Sequence, residues 1–207
     1  MSSCRSFVDR YFTRRYAVDV MNKPTEDLCL LFHSNGVCVL TLAPSHPIVR
    51  SETSITIKSV DYKVTGKVDR LENKVIGKSK RGAQTLAPDS FVCRISCTGE
   101  KGDVVYAIRA CAKGRLIEVN ERLVNEPQLL VNSPETLGYI CVIAQKRDWS
   151  RSEGQLEETA SHGSKSNAIP LIDHSSYLRL RFPDQCNKLV EEASVVHRTL
   201  EDMDDDG

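Results

Sequence analysis

The sequence predicts an all-β domain, and three observations carry that reading. Apolar and polar residues alternate over short runs, the two-residue period of a half-buried strand. Clusters of Gly, Asn, Ser and Pro punctuate those runs at regular intervals. Helical periodicity is confined to single turns in the body of the chain and to one stretch near its end. The strand-like runs fill residues 24–147. An N-terminal arm (1–23), basic and rich in aromatics, precedes them, and a low-order tail (148–207) follows.

The arm holds Phe7, Tyr11, Phe12 and Tyr16 among Arg10, Arg14 and Arg15, in a pattern too irregular for a strand or a helix. It is expected to pack Phe7, Tyr11 and Phe12 onto the domain. The clearest local element comes next. Leu28–Phe32 and Val37–Leu42 flank Ser34, Asn35 and Gly36, and Asn-Gly tolerates the positive φ angles of a tight β-hairpin. Pro44 and Pro47 end it. Ser54–Val60 alternates cleanly as a strand, and Lys74–Lys78 reads as a shorter one running into a loop at Ser79–Gln84. Phe91–Cys97 and Val104–Ala110 form a hairpin whose exposed tip carries Gly99 and Gly102.

Gly114–Asn120 is a glycine followed by an alternating strand, and Glu121–Asn125 is a helical turn stopped by Pro127. Leu137–Ile143 closes the domain as a final β-forming run. Beyond Trp149, residues 150–167 are too rich in Ser, Glu and Gly to bury a core of their own. Ile169–Phe182 reads as a short docking strand. Residues 184–200 can form an amphipathic helix, with Asp184 as N-cap and Leu189, Ala193, Val196 and Leu200 on one face.

At 207 residues, 40% of them apolar, the chain can bury one good core but not two. No apolar run reaches the length of a membrane span, and the start lacks the apolar segment of a secretory signal, so residence inside the cell is expected. There, the eight cysteines are expected to be thiols, not disulfides. The net charge is zero, but its distribution is uneven. From Lys58 to Arg81, eight Lys/Arg face Asp61, Asp69 and Glu72. From Asp184 to Asp206, eight acids face Lys188 and Arg198. This pattern suggests a basic binding face and an acidic tail.

Residues arranged for chemistry are missing. The five histidines are scattered, and no phosphate-binding glycine motif occurs in the required order. Cys93 and Cys97 lie four apart on one strand face with no C-x-x-C pair, and a zinc site could be assembled only from scattered residues such as Cys29 and His33. Neither catalytic nor metal-ligating residues are assigned, and no cofactor is expected. The candidates are instead partner-binding: Arg10, Tyr11, Phe12 and Arg14 on the arm, and Lys74, Lys78, Lys80 and Arg81 on the basic loop. Aromatics interleaved with arginine, and a cationic loop, suit an acidic protein surface or a nucleic acid.

Two resemblances sharpen this reading. Gly114–Pro127 with Gly138–Ile140 resembles the second half of the glycine cleavage H protein. That resemblance implies a lipoyl-domain-like barrel-sandwich hybrid (a single hybrid motif), two small sheets related by a pseudo-two-fold. In carriers of that fold a lysine on the preceding hairpin tip is lipoylated. Here its place falls near Asp103, with Lys101 off register, so no lipoyl-lysine is assigned.

The second resemblance covers more of the chain. Val8–Arg14, His33–Asn35, Thr41–Ala43 with Ser45–Pro47, Gly77-Lys78 with Lys80–Gln84, and Gly114–Leu116 with Glu118–Glu121 resemble the Abitram (Simiate) family in the same order. This implies a non-enzymatic actin-binding modulator of transcription and actin turnover, with the H-protein-like fold but not its lipoyl chemistry. The implied partners are monomeric or filamentous actin and nuclear-speckle components, with no membrane. The implied locations are the nucleus, its speckles, and the cytoplasm, including actin-rich projections. Two alternatives stay open: a lipoyl-carrier-like accessory protein, and a nucleic-acid-binding module.

Overall fold

The computed structural model describes residues 6–50, 55–100, 102–145 and 169–184, and strands dominate them. In chain order the elements are α1 (Phe7–Tyr11), β1 (Phe12–Ala17), β2 (Leu28–His33), β3 (Val37–Leu42), β4 (Thr56–Asp61), β5 (Lys63–Thr65), β6 (Val68–Asp69) and β7 (Thr85–Leu86). They continue with β8 (Phe91–Gly99), β9 (Gly102–Arg109), β10 (Gly114–Val119), α2 (Arg122–Asn125), α3 (Leu129–Asn132), β11 (Cys141–Ala144), β12 (Leu171–Asp173) and α4 (His174–Arg181). The expected all-β class is what the protein has. Among the described residues no helix is long and apolar enough to cross a membrane.

The chain divides into two units, Met1–Leu171 and Ile172–Gly207. In the first, the larger sheet runs β1-β2-β3-β11-β10-β7, antiparallel throughout, and a second sheet runs β4-β8-β9. The β2–β3 hairpin turns at Asn35-Gly36 as expected, with the Asn35 side chain accepting from the Val37 N–H at 3.0 Å. Lys63–Asp69 makes a small separate hairpin of β5 and β6. Leu30, Leu40, Leu116 and Ile143 of the larger sheet join Ile57, Ile95 and Ile108 of the smaller one in a single hydrophobic cluster. Fully burying each such side chain stabilises by about 1.5–3 kcal/mol.

Polar ties lock the Asn120 hook to the closing strand. The buried Asn120 amide donates to the Leu137 and Tyr139 carbonyls, both at 2.8 Å. The Tyr62 hydroxyl, fully buried, donates to the Ile140 carbonyl at 2.8 Å. Just before that strand, a Cβ on Gly138 would lie 2.0 Å from the Leu129 carbonyl oxygen, so only glycine lets the two backbones meet.

Residues assigned to the arm are regular after all. Ser6 caps α1 and is itself capped by Asp9, a reciprocal box with Ser6 Oγ accepting from the Asp9 N–H at 3.1 Å. Strand β1 then pairs with β2 along its whole length. Val8 is the buried side chain of α1. Phe7 and Tyr11, expected to pack onto the domain, are exposed (61% and 51%) and lean on each other at 4.9 Å. In the second unit, the strand expected over 169–182 gives way after Asp173 to α4, because Asp173 caps it by accepting from the Ser176 N–H at 3.0 Å. Most of the helix expected at 184–200 lies outside the described residues.

Candidate functional site

The basic loop is built from its base outward. Asn73 donates to the Leu116 carbonyl of β10 at 3.0 Å, while its own carbonyl accepts from the Gln84 N–H at 2.9 Å. One asparagine therefore closes both ends of the loop and fixes them to the sheet. Within it, Ile76 and Arg81 exchange two backbone hydrogen bonds of 3.0 Å. This single bridge stands where a short strand was expected. Gly82, at φ +78°, comes so close to Lys74 that a Cβ would sit 2.8 Å from the Lys74 carbonyl oxygen. Arg115 of β10 reaches beneath the tip and donates to the Ser79 and Lys80 carbonyls, the latter at 3.0 Å.

The result is a cationic turn of fixed shape. Lys74, Lys78 and Arg81 are exposed, Lys80 is half-buried, and none pairs with a carboxylate among the described residues. Arg70, counted in the same basic run, is not part of this face. It is buried and donates to the Phe91 carbonyl through Nε and Nη2, at 3.1 and 2.7 Å, and to Gln84 Oε1 at 2.5 Å. Burial pushes its pKa down.

The arm candidates divide. Arg10 sits over the Tyr11 ring at 5.7 Å, and Phe12 meets the His33 ring edge-on at 5.2 Å, extending the Phe7–Tyr11 pair into an aromatic row. Arg14, expected to meet a partner, is committed inside the molecule. Its Nε and Nη2 donate to the two carboxylate oxygens of Glu135 at 2.6 Å each, and Nη1 donates to Asp9. Hydrogen bonds from Ser6 and then Arg14 hold the Asp9 carboxyl down at about 2, and the Glu135 carboxylate raises Arg14 further above its usual range.

Nor do the two groups of candidates form one surface. The arm lies on β1, and the loop is fastened to β10 beside β7, on the far side of β2, β3 and β11. From β1 to β10 is four inter-strand steps, about 19 Å along the sheet. Sequence reasoning missed Arg115 and Asn73, which shape the loop without belonging to its charge run. It also missed the aliphatic side chains of the loop: Leu71, Val75 and Ile76 are exposed by 40%, 36% and 66%.

At the β8–β9 tip, where a carrier lysine would be expected, the Asp103 carboxylate is gripped by Lys58 Nζ at 2.7 and 2.9 Å and by Thr98 Oγ1 at 3.0 Å. Hydrogen bonds from Lys58 and then Thr98 hold it below the usual carboxylate range. Lys101 lies outside the described residues. Six cysteines (Cys29, Cys38, Cys93, Cys97, Cys111 and Cys141) are free and buried. Burial pushes the Cys29 and Cys111 thiols up to about 12, away from reactive thiolate.

Comparison with known proteins adds to this geometry. Protein Abitram of Danio rerio is 49% identical over 153 residues, which are 73% of this chain and 84% of that one. Protein Abitram of Bos taurus is 49% identical over 156 residues, 74% and 80% of the two chains. Among solved structures, the glycine cleavage system H protein of Mycobacterium marinum aligns over 80% of this chain and 94% of its own, at a TM-score of 0.46 and 13% identity. No family model matches. With nearly half of the aligned residues identical across most of both lengths, the chain belongs to the Abitram family.

Proposed function

We propose that this protein is a non-enzymatic actin-binding protein that modulates actin polymerisation and depolymerisation, and transcription. It acts in the nucleus, including nuclear speckles, and in the cytoplasm, including actin-rich projections. The observation carrying the reading is the loop from Lys74 to Arg81, whose four cations are held in a fixed turn without carboxylate partners among the described residues. Such a surface suits the acidic face of a protein partner, where complementary charge speeds encounter and selects register. Family membership supports the same reading. A lipoyl-carrier role is less well supported, because an ion-paired acid stands near the place of the modified lysine.

Actin co-sedimentation and a monomer-binding assay on the purified full chain test it. The triple charge reversal Lys78→Glu, Lys80→Glu, Arg81→Glu abolishes the interaction at moderate salt. Unchanged co-sedimentation would remove actin from this loop, and no binding by the unmodified chain to either form of actin would end the reading itself.

A further inference from the structure

We propose that the 71–84 loop recognises an acidic protein segment in which an apolar side chain is flanked by carboxylates, that Ile76 is the apolar anchor, and that Arg115 is the positioning residue that keeps the loop in its binding shape. The proposal rests on the reading that this loop is a contact surface, and it specifies the partner's chemistry.

Three observations carry it. First, between Asn73 and Gln84 there are four cations and no acid, so the partner supplies the carboxylates. Second, the loop is as apolar as it is basic. Ile76 is two-thirds exposed, with Val75 beside it and Leu71 at the loop's entry. Water-exposed aliphatic side chains gathered on a rigid turn mark an interaction site, since their burial is what a partner gains. They also decide between two kinds of acidic partner. Single-stranded nucleic acid is held by aromatic rings on which bases stack, and 71–84 contains none. A protein segment with its own apolar residue is what Ile76 fits.

Third, the shape is paid for in advance of binding. Lys80 sits at φ +51°, a conformation that a residue with a side chain seldom adopts. Its carbonyl and that of Ser79 are both held by the Arg115 guanidinium. Because those acceptors are neutral carbonyls, Arg115 keeps its charge beneath the tip while fixing the backbone. Ordering a loop before binding removes that entropy cost from the association.

The test uses the full chain and three fluorescent probes of equal negative charge: a peptide with one leucine flanked by Asp and Glu, a Glu/Gly peptide, and a single-stranded RNA. The leucine peptide binds about tenfold tighter than the other two, as expected for burial of one aliphatic anchor. Ile76→Ser erases that difference but leaves a residual salt-sensitive affinity. Arg115→Lys, which keeps the charge but not the two-carbonyl grip, weakens peptide binding about threefold or more without changing its salt dependence, and speeds hydrogen exchange at the Arg81 amide. RNA bound as tightly as the leucine peptide, or an Ile76→Ser protein that still prefers leucine, overturns the proposal. An Arg115→Lys protein with unchanged exchange and affinity overturns the role of Arg115. Actin co-sedimentation of the same variants separates this proposal from the function above. Peptide binding lost with actin retained removes actin from the loop and leaves the proposal standing. Actin lost in the loop variants, with no leucine preference in the unmodified chain, overturns the proposal alone.

Discussion

Arg14 and Glu135 lie 121 residues apart in the chain and meet side by side, two nitrogens to two oxygens at 2.6 Å each. The pair fastens strand β1 to the segment after α3, and Asp9 adds α1 to the same guanidinium. Arg14→Ala should therefore lower stability by about 2 kcal/mol, leaving a partly buried carboxylate without its bidentate partner. Denaturant midpoints measure this. Actin co-sedimentation of the same variant should be unchanged where it still folds, and a selective loss of binding at full stability would return Arg14 to the contact surface.

Asn120 and Gly138 hold the closing strand by different means, and both should be intolerant. Asn120→Ala removes two 2.8 Å hydrogen bonds to carbonyls next to the core, a loss of about 2–3 kcal/mol. Gly138→Ala drives a methyl group into the Leu129 carbonyl, and costs about 3 kcal/mol or more unless the 129–138 backbone moves. Thermal unfolding of each variant measures both. A Gly138→Ala protein as stable as the parent would contradict the close approach.

His46 sets an acid limit on stability. It is buried against Tyr106, ring centroids 5.1 Å apart, and its Nδ1 accepts from the Ile48 N–H at 3.2 Å. Its Nε2 finds no partner among the described residues. Burial pushes its pKa from 6.5 down to about 4, against the opposing pull of the Asp27 charge. The unfolded chain binds the proton first, so this contribution is complete above pH 6.5 and falls away as pH drops toward 4. The loss is about 3 kcal/mol. Urea unfolding between pH 7 and 4 shows it as a difference from His46→Gln, whose profile lacks this component; parallel profiles would refute it.

The six buried cysteines should be silent toward thiol reagents while the protein is folded. In a Cys4→Ser, Cys186→Ser protein, maleimide labelling should stay near zero in native buffer and reach all six under denaturant. Fast native labelling of any one of them would show that strand opening exposes it.

The β2–β3 hairpin was legible because Asn35-Gly36 acts on its immediate neighbours. A signal for α1 was present too, since Ser6 and Asp9 have capping-box spacing, but the surrounding arginines and aromatics hid it. The basic loop's charges were equally plain, whereas its shape was not. Its staples come from Arg115 and from the Leu116 carbonyl, on a strand more than thirty positions later. Arg14 and Arg70 looked like surface cations for a related reason. The groups that take them inward, Glu135 and the Phe91 carbonyl, are set only by the fold. Local chemistry can be read along the chain; which cation ends up paired depends on distant partners.

The placement of β11 between β3 and β10 has a consequence for how the molecule is made. Leu40 of β3 has Cys141 as its opposite number, and most of the sheets' shared core, including everything the smaller sheet contributes, is synthesised in between. On the ribosome, β1, β2 and β3 can form their meander early, because each pairs with the next strand in the chain. The inner edge of β3 must then stay unpaired until β11 emerges, because no earlier strand pairs there in the finished sheet. Birth of the domain is thus a wait followed by a closure, and a chain cut short before Cys141 would expose Cys38 and Leu40 as an open, adhesive edge.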